Sequence, residues 1–392
     1  MHWEQLFQLP AAVARRAGRF VIVDLQVPHR VLSTSARNGG QTEHLRHLVN
    51  HQSCEGKGHD ARARVMHGQD PHAYHDAVCA EIDLPPADTA IMGTAANMSY
   101  AVVAHEQDEG VQVTAIVTAG VQSNATCAGD PAAWRETADG TARIPLLADN
   151  VADNVADNLA GNVAGTINTI LLVNRAVTPG VLSRLAVVMT EGKSAALQRL
   201  AVPSCYSADL ATGTGTDQFC VAAPIGGVPL TSASPHVKFG EIAGLAVRRA
   251  TLEALRWQNG LEPSYTRGLF HALGRYGLRE QTVFEDLAGR LSPADLELLR
   301  NNSKAAFYDP LAGAAAHALA AVFDRVRHQT LPASVLPDAT VQQAATLATS
   351  LAAQPHRWTE FRTRLLEQGE FEPAALVLAA IALGWSEKWR AS

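Results

Sequence analysis

The chain has 392 residues, of which 47% are hydrophobic and 18% charged, with a formal net charge of −6. Length corresponds to about two to three domains, and the composition is that of a globular chain with a large core, which excludes disordered and collagen-like classes. The negative balance offers no electrostatic footprint for a phosphate backbone, so no nucleic-acid partner is expected.

The five cysteines, Cys54, Cys79, Cys127, Cys205 and Cys220, are odd in number and form no CxxC pair. A disulfide framework is not expected, and a reducing compartment fits better. The amino-terminal stretch lacks the basic start, apolar run and small-residue cleavage site of a signal peptide. The uncharged candidate Leu159 to Val173 is interrupted by Gly161, Asn162, Gly165, Thr166, Asn168 and Thr169. No membrane span is expected, and a cytoplasmic location follows.

In chain order, Arg19 to Leu25 reads as a buried strand, a short run of branched apolar residues. A turn follows at Asn38-Gly39-Gly40, and Gln41 to His51 reads as a helix from the spacing of Leu45, Leu48 and Val49. Gly56 to Pro71 is polar and loop-like, and Pro71 to Ile82 is helical, stopped by Pro85-Pro86. Gln112 to Ala119 reads as a strand ending at Gly120. Residues 150–162 form a short Ala-Asp-Asn-Val repeat, read as a lengthened surface loop or marginal helix. A strand is expected at Thr169 to Val173, a helix over Leu182 to Leu200, a strand over Gln218 to Ala223 and a helix over Phe239 to Trp257.

Beyond about residue 258, Gly-Thr-Asn runs give way to Ala-, Leu- and Arg-rich helical segments from Ser264 to Trp385. A boundary there separates residues 1–257 from a helical 258–392. Ser292-Pro293 has the form of an N-cap followed by proline at the first helical position. The first region is expected to be α/β or α+β with a mixed sheet, because its strands and helices alternate without a clean βαβ rhythm.

Three small, polar loops carry the chemistry. The first is LATGTGTD, Leu210 to Asp217, where Gly213 and Gly215 allow close backbone approach, Thr214 and Thr216 offer hydroxyls, and Asp217 adds a carboxylate. Without a lysine in P-loop position it is not a phosphate cradle, and an ordinary tight turn is the alternative. The second runs from Val117 to Asp130 and holds Gly120, Asn124, Thr126 and Asp130; the third is Gly165-Thr166-Ile167-Asn168. Three such loops beside strands point to one shared pocket.

Glu191 and Lys193 lie two apart. On a helix they do not share a face; on a turn both could enter a pocket. Histidines crowd the front of the chain, and His51, Cys54 and His59 are a weak alternative metal set, as are His75 and Cys79 one helical turn apart. Their spacing does not match zinc patterns, and no metal is expected. Cys205 and Cys220 flank the LATGTGTD run and read as small buried hydrophobes.

The strings VTAGVQSNA, GTINTILLVN and MTEGKSAALQRLAVPSCYSADLATGTGTDQF resemble the adenosylcobinamide amidohydrolase (CbiZ) family. RVLSTSARNGG, NHQSCEGKGH and HVKFGEIAGLAV fit the same pattern, so the resemblance spans roughly residues 20 to 257. The helical tail and the Ala-Asp-Asn-Val repeat fall outside it. The resemblance implies hydrolysis of the amide joining aminopropanol to a propionate side chain of adenosylcobinamide, in corrinoid salvage or cobamide remodelling. The cobalt corrinoid is then substrate, no cofactor is required, and a homo-oligomer is compatible.

Amide hydrolysis needs an activated water or nucleophile, donors for the oxyanion and an acid for the leaving amine. Asp217, Glu191 and Asp130 are candidate bases, Thr214 and Thr216 candidate nucleophiles, and Lys193 an activator or acid. Asn38, Asn124 and Asn168 are candidates to hold peripheral amides, with Gly39, Gly40, Gly120, Thr166, Gly213 and Gly215 shaping the pocket. A rival of another class is a non-catalytic corrinoid-binding or sensing protein, which would not need three ionisable groups among apolar loops.

Overall fold

In the computed structural model the described residues are 1–53, 71–132, 134–138, 140–144 and 165–389. The loop expected from Gly56, the repeat at 150–162, Cys54 and His59 lie outside them. The chain divides into two compact units, Met1–Gly260 and Leu261–Ser392.

The first unit is built on two sheets. One has the order β1-β2-β3-β6-β7, from Glu4–Gln8, Ala12–Ala17, Phe20–Leu25, His47–Gln52 and Thr89–Thr94. The other joins β4 (His29–Ser33), β5 (Gly40–Thr42), β8 (Val102–Asp108), β9 (Val111–Ala119), β13 (Ile167–Val173) and β15 (Gln218–Pro224) in the order β5-β4-β15-β13-β9-β8. Two short pairs complete the strand set: β10 (Ala125–Thr126) with β14 (Gly213–Thr214), and β11 (Trp134–Thr137) with β12 (Gly140–Arg143), form separate ladders. Parallel pairs, β6–β7 and β13–β15, sit inside otherwise antiparallel sheets, so the unit is α+β with mixed sheets.

Side-chain alternation sorts the layers. Val21, Val23, Leu48 and Met92 of the first sheet meet Val31, Ile116, Ile170, Leu172, Cys220 and Ala222 of the second in one shared core. The opposite face of the first sheet, with Phe20, Ile22, Val49 and Ile91, is covered by Val78, Cys79 and Ile82 of helix α1 (Pro71–Glu81). Helices α2 (Pro179–Arg199) and α3 (Lys238–Asn259) cover the outer face of the second sheet, α3 over β8 and β9 and α2 against β15. The layer order is helix, sheet, sheet, helix. Every residue of β13 is buried, which explains its apolar run from Ile170 to Val173.

The helix expected over Gln41 to His51 is corrected to the short strand β5, a loop and the strand β6. Leu45, Leu48 and Val49 fit a helical spacing, but three apolar residues do not fix a period. Pairing between β3 and β7 decides it, sending Leu48 and Asn50 inward and Val49 and His51 toward α1.

The second unit is helical. Its longer helices are α4 (Pro293–Asn301), α5 (Pro310–Arg327), α6 (Leu336–Ala352), α7 (Trp358–Gln368) and α8 (Pro373–Glu387), with α6 in contact with α5, α7 and α8. Ser292 caps α4 by accepting the Asp295 N–H at 3.1 Å, with Pro293 at the first position. Asp309-Pro310 and Glu372-Pro373 start α5 and α8 in the same way.

Helices α2 and α3 cross closely through glycine. A Cβ on Gly192 would stand 2.8 Å from the Gly244 carbonyl oxygen, whereas one on Gly180 of the same helix meets nothing within 4 Å. Alanine is the better helix former by about 1 kcal/mol, but overpacking costs about 1–3 kcal/mol. Gly192→Ala is therefore expected to lower stability by about 1 kcal/mol in urea unfolding, while Gly180→Ala leaves it unchanged or raises it.

Candidate functional site

The parallel strands β13 and β15 begin side by side, with Asn168 opposite Gln218. Three loops arrive at this end: 120–126 leaving β9, 165–166 entering β13 and 211–217 entering β15. The β10–β14 ladder, Ala125 with Thr214 and Thr126 with Gly213, clamps the first to the third.

Asp217 is the centre of the cluster. Its Oδ2 accepts from Lys193 Nζ at 2.5 Å and Thr214 N–H at 3.0 Å; its Oδ1 accepts from the Thr214 hydroxyl at 2.5 Å and Ile167 N–H at 2.8 Å. Four donors occupy the roughly four acceptor positions of a carboxylate. That geometry suits Asp217 to holding the loop rather than to taking a proton. Lys193 and Asp217 side chains are 15% and 16% exposed, so the pair is largely shielded from water. A Cβ on Gly213 would stand 2.5 Å from Asp217 Oδ2 and 2.9 Å from Lys193 Nζ, so only glycine leaves room for the ion pair.

A second set of contacts adjoins the first. Buried Asn124 donates through Nδ2 to the Gly165 carbonyl at 2.9 Å and to Thr216 Oγ1 at 3.0 Å, and its Oδ1 accepts from Tyr206 OH at 3.1 Å. The Thr166 and Thr216 hydroxyls share a 2.6 Å hydrogen bond, and Thr216 itself is exposed. Gly215 is exposed and adjacent, and a Cβ there would meet Asn124 Oδ1 at 3.0 Å. Gly120 and Gly165 approach backbone to backbone, where a Cβ on Gly165 would stand 2.8 Å from the Gly120 oxygen.

A polar seam then crosses between the sheets. Asn168 Nδ2 donates to Asn50 Oδ1 at 2.9 Å and to the Gly93 carbonyl at 3.0 Å, while its Oδ1 accepts from Gln218 N–H at 3.2 Å. Asn50 donates to the Thr118 hydroxyl at 2.8 Å, and Gln218 Oε1 accepts from Gly93 N–H at 2.8 Å. The structure thus brings together Lys193, Thr214, Thr216, Asp217, Asn124, Thr166, Asn168, Gly120, Gly213 and Gly215.

Other candidates stand apart. Glu191 is exposed on α2, and because α2 is a helix it turns away from the face carrying Lys193. Asp130 ties its own loop to Ser204, accepting from Thr126 Oγ1, Cys127 N–H and Ser204 Oγ at 3.0, 2.6 and 2.6 Å. Asn38, left-handed at φ 59°, uses its amide on the carbonyls of Pro86 and Thr89, and Gly39 and Gly40 belong to the same turn. Four residues separate Thr89 from Gly93 on β7, roughly 13 Å.

Asn50, Gly93, Gln218 and Tyr206 were not singled out from sequence. Gln218 and Tyr206 lie within the quoted MTEGK…TDQF string and could have been found there; Asn50 was hidden by the helical reading of its strand.

His51 Nδ1 bonds to Tyr74 OH at 2.7 Å, and its Nε2 is enclosed without a partner among the described residues. Burial, then the neighbouring Arg19 charge, push its pKa down to about 3. Among the described residues no group of three His, Cys, Asp or Glu side chains could hold a metal. Cys220 is enclosed in the inter-sheet core, where burial pushes its thiol up to about 12, and burial also raises Cys205. No helix among the described residues is long and apolar enough to cross a membrane.

Residues 8–263 match the adenosylcobinamide amidohydrolase family. The chain belongs to that family. An uncharacterised protein of Methanocaldococcus jannaschii, MJ1613, is 34% identical over 191 residues, which are 48% of this chain and 71% of that protein. Two solved structures are more distant. The PH0078 protein from Pyrococcus horikoshii OT3 is 12% identical with a TM-score of 0.31, and an L-aminopeptidase D-Ala-esterase/amidase from Ochrobactrum anthropi is 14% identical with a TM-score of 0.27. Each comparison covers 64% of this chain and 82% of the other, and scores that low establish no shared fold. Family membership makes the chain a hydrolase, and the loops of the cluster all lie within the matched region.

The His51 environment has a pH consequence. Unfolded, the imidazole titrates near 6.5; folded, near 3. Between those values the unfolded chain binds the proton and the folded chain does not, so stability is full above pH 6.5 and falls as pH drops toward 3. Urea unfolding of wild type from pH 7 to pH 4 is expected to show this loss, with a shallower slope for His51→Phe.

Proposed function

We propose that the chain hydrolyses the amide between aminopropanol and a propionate side chain of adenosylcobinamide, yielding adenosylcobyric acid and 1-aminopropan-2-ol. Water adds across the amide: the carbonyl carbon gains hydroxyl, and the nitrogen leaves with the proton. The observation carrying this reading is the match of residues 8–263 to the family of that activity. The clustering of three small polar loops at one end of β13 and β15 supports it.

The cluster has the parts such a reaction uses. Lys193 is a fixed cation beside glycine-rich backbone, suited to charge developing on a carbonyl oxygen. Thr216 is an exposed residue whose hydroxyl is oriented by Asn124, Thr166 and the Gly165 carbonyl. Asp217 keeps Lys193 and the 213–217 loop in place, so we assign it a positioning role. The cobalt belongs to the substrate, and no resident cofactor enters the proposal. Service in corrinoid salvage or cobamide remodelling, within the cytoplasm, follows from the same substrate assignment.

Purified protein is expected to release aminopropanol from adenosylcobinamide. Lys193→Ala, Asp217→Ala and Thr216→Ala should each lower kcat/KM about a hundredfold or more, the size of effect seen when a transition-state donor is removed, whereas Glu191→Ala should match wild type. Tight corrinoid binding without any release would instead identify a binding protein, and wild-type rates in all three site variants would move the active site elsewhere.

A further inference from the structure

The inner face of the second sheet is polar at both ends and apolar between. Thr118, Asn168 and Gln218 lie at the end already described; Ile116, Ile170, Leu172, Cys220 and Ala222 fill the middle. At the far end the same face presents Gln112, Thr114 and His29, which border a cavity of about 270 Å³ walled by Leu9, Ala12 and Leu172. Leu172 is four residues from Asn168 on one face of β13, so the two ends are separated by roughly 13 Å or more.

Some polar groups here have internal duties. Asn174 spends its amide on the Gln112 N–H and the Gly110 carbonyl, and the Thr114 hydroxyl pairs with His105 Nδ1 at 2.8 Å. His29 differs. It is 1% exposed, and Nδ1 bonds to the Val27 carbonyl at 2.7 Å. That bond requires the proton on Nδ1 and leaves Nε2 a bare acceptor. Nε2 has no protein partner among the described residues, and His29 lines the cavity. The Gln112 side-chain amide likewise has no protein partner among the described residues. A buried acceptor with nothing to accept is a cost that a bound donor removes.

We propose that this cavity is a second small-molecule site, taking an uncharged compound with an apolar body and one O–H or N–H donor, which it gives to His29 Nε2. Burial and the nearby Arg46 charge hold the His29 pKa below its ordinary value, consistent with a neutral acceptor. Apolar walls and Arg46 disfavour a cation. The volume sits near the lower bound of small-molecule pockets, roughly 300 Å³, which suits a single ring and is far too small for a corrin.

Phenol and anisole, alike in shape but differing in the O–H donor, test the assignment on the full chain by calorimetric titration and crystal soaking. Phenol is expected to bind wild type at least tenfold more tightly than anisole, with its oxygen within hydrogen-bond distance of His29 Nε2. His29→Leu should abolish that preference while aminopropanol release from adenosylcobinamide is unchanged. Gln112→Ala, at a less buried position, should weaken phenol severalfold and serves if the His29 variant does not fold. No binding of either probe at millimolar concentration, equal affinities, or a phenol preference surviving in His29→Leu would each overturn the proposal.

Discussion

The Asp217 carboxylate is the constraint on which the first unit's working end depends. It collects a side chain from α2, two groups from the 213–217 loop and a backbone N–H at the start of β13. Each partner belongs to a different stretch of chain, and none is near another in sequence except across the turn itself. A largely buried ion pair is a poor source of net stability, because desolvation offsets attraction. Its value lies in specifying geometry: removing either partner leaves a shielded charge with fewer hydrogen bonds, so the loop has one arrangement that satisfies everyone.

Packing upstream makes that arrangement reachable. Lys193 follows Gly192, and Gly192 is where α2 leans on α3. The helix crossing sets how far α2 stands from the second sheet, and the lysine reaches inward from there. Gly213 answers from the other side by leaving the space that the ammonium and carboxylate fill. Two glycines with no chemistry of their own thus determine where a charge sits. The Asn50–Asn168–Gln218 seam extends the same logic across the sandwich, registering one sheet against the other by hydrogen bonds where an apolar contact would allow sliding.

How much of this was legible differs by element. β9, β13, β15, α2 and α3 carry runs long or periodic enough to be read, and the loops beside them stood out because small polar residues interrupt apolar ones. β6 was misread because its few apolar residues suit either period and only neighbouring strands decide. β1 and β2, with Arg15 and Arg16 half-buried on opposite faces of β2, have too little apolar alternation to announce themselves. At the site, residue type identified Lys193, Asp217 and Asn124 as groups of interest, but not that Asp217 would be saturated. Glu191 looked equivalent to Lys193 in sequence; helical phase separates them. Asn50 and Gly93 act through a contact between sheets, which no local pattern encodes.

The approach of Gly120 to Gly165 bears on how the chain tolerates change. Just before Gly165 the sequence carries its Ala-Asp-Asn-Val repeat. Downstream, the Gly165 carbonyl is held by Asn124 and the Ile167 N–H by Asp217, so β13 begins from a moored point. Doubling the length of a chain connection costs only about 0.6 kcal/mol in closure entropy. Adding or deleting a copy of the repeat is therefore expected to leave β13 in register, because the bonds that hold its first residues do not pass through the repeat.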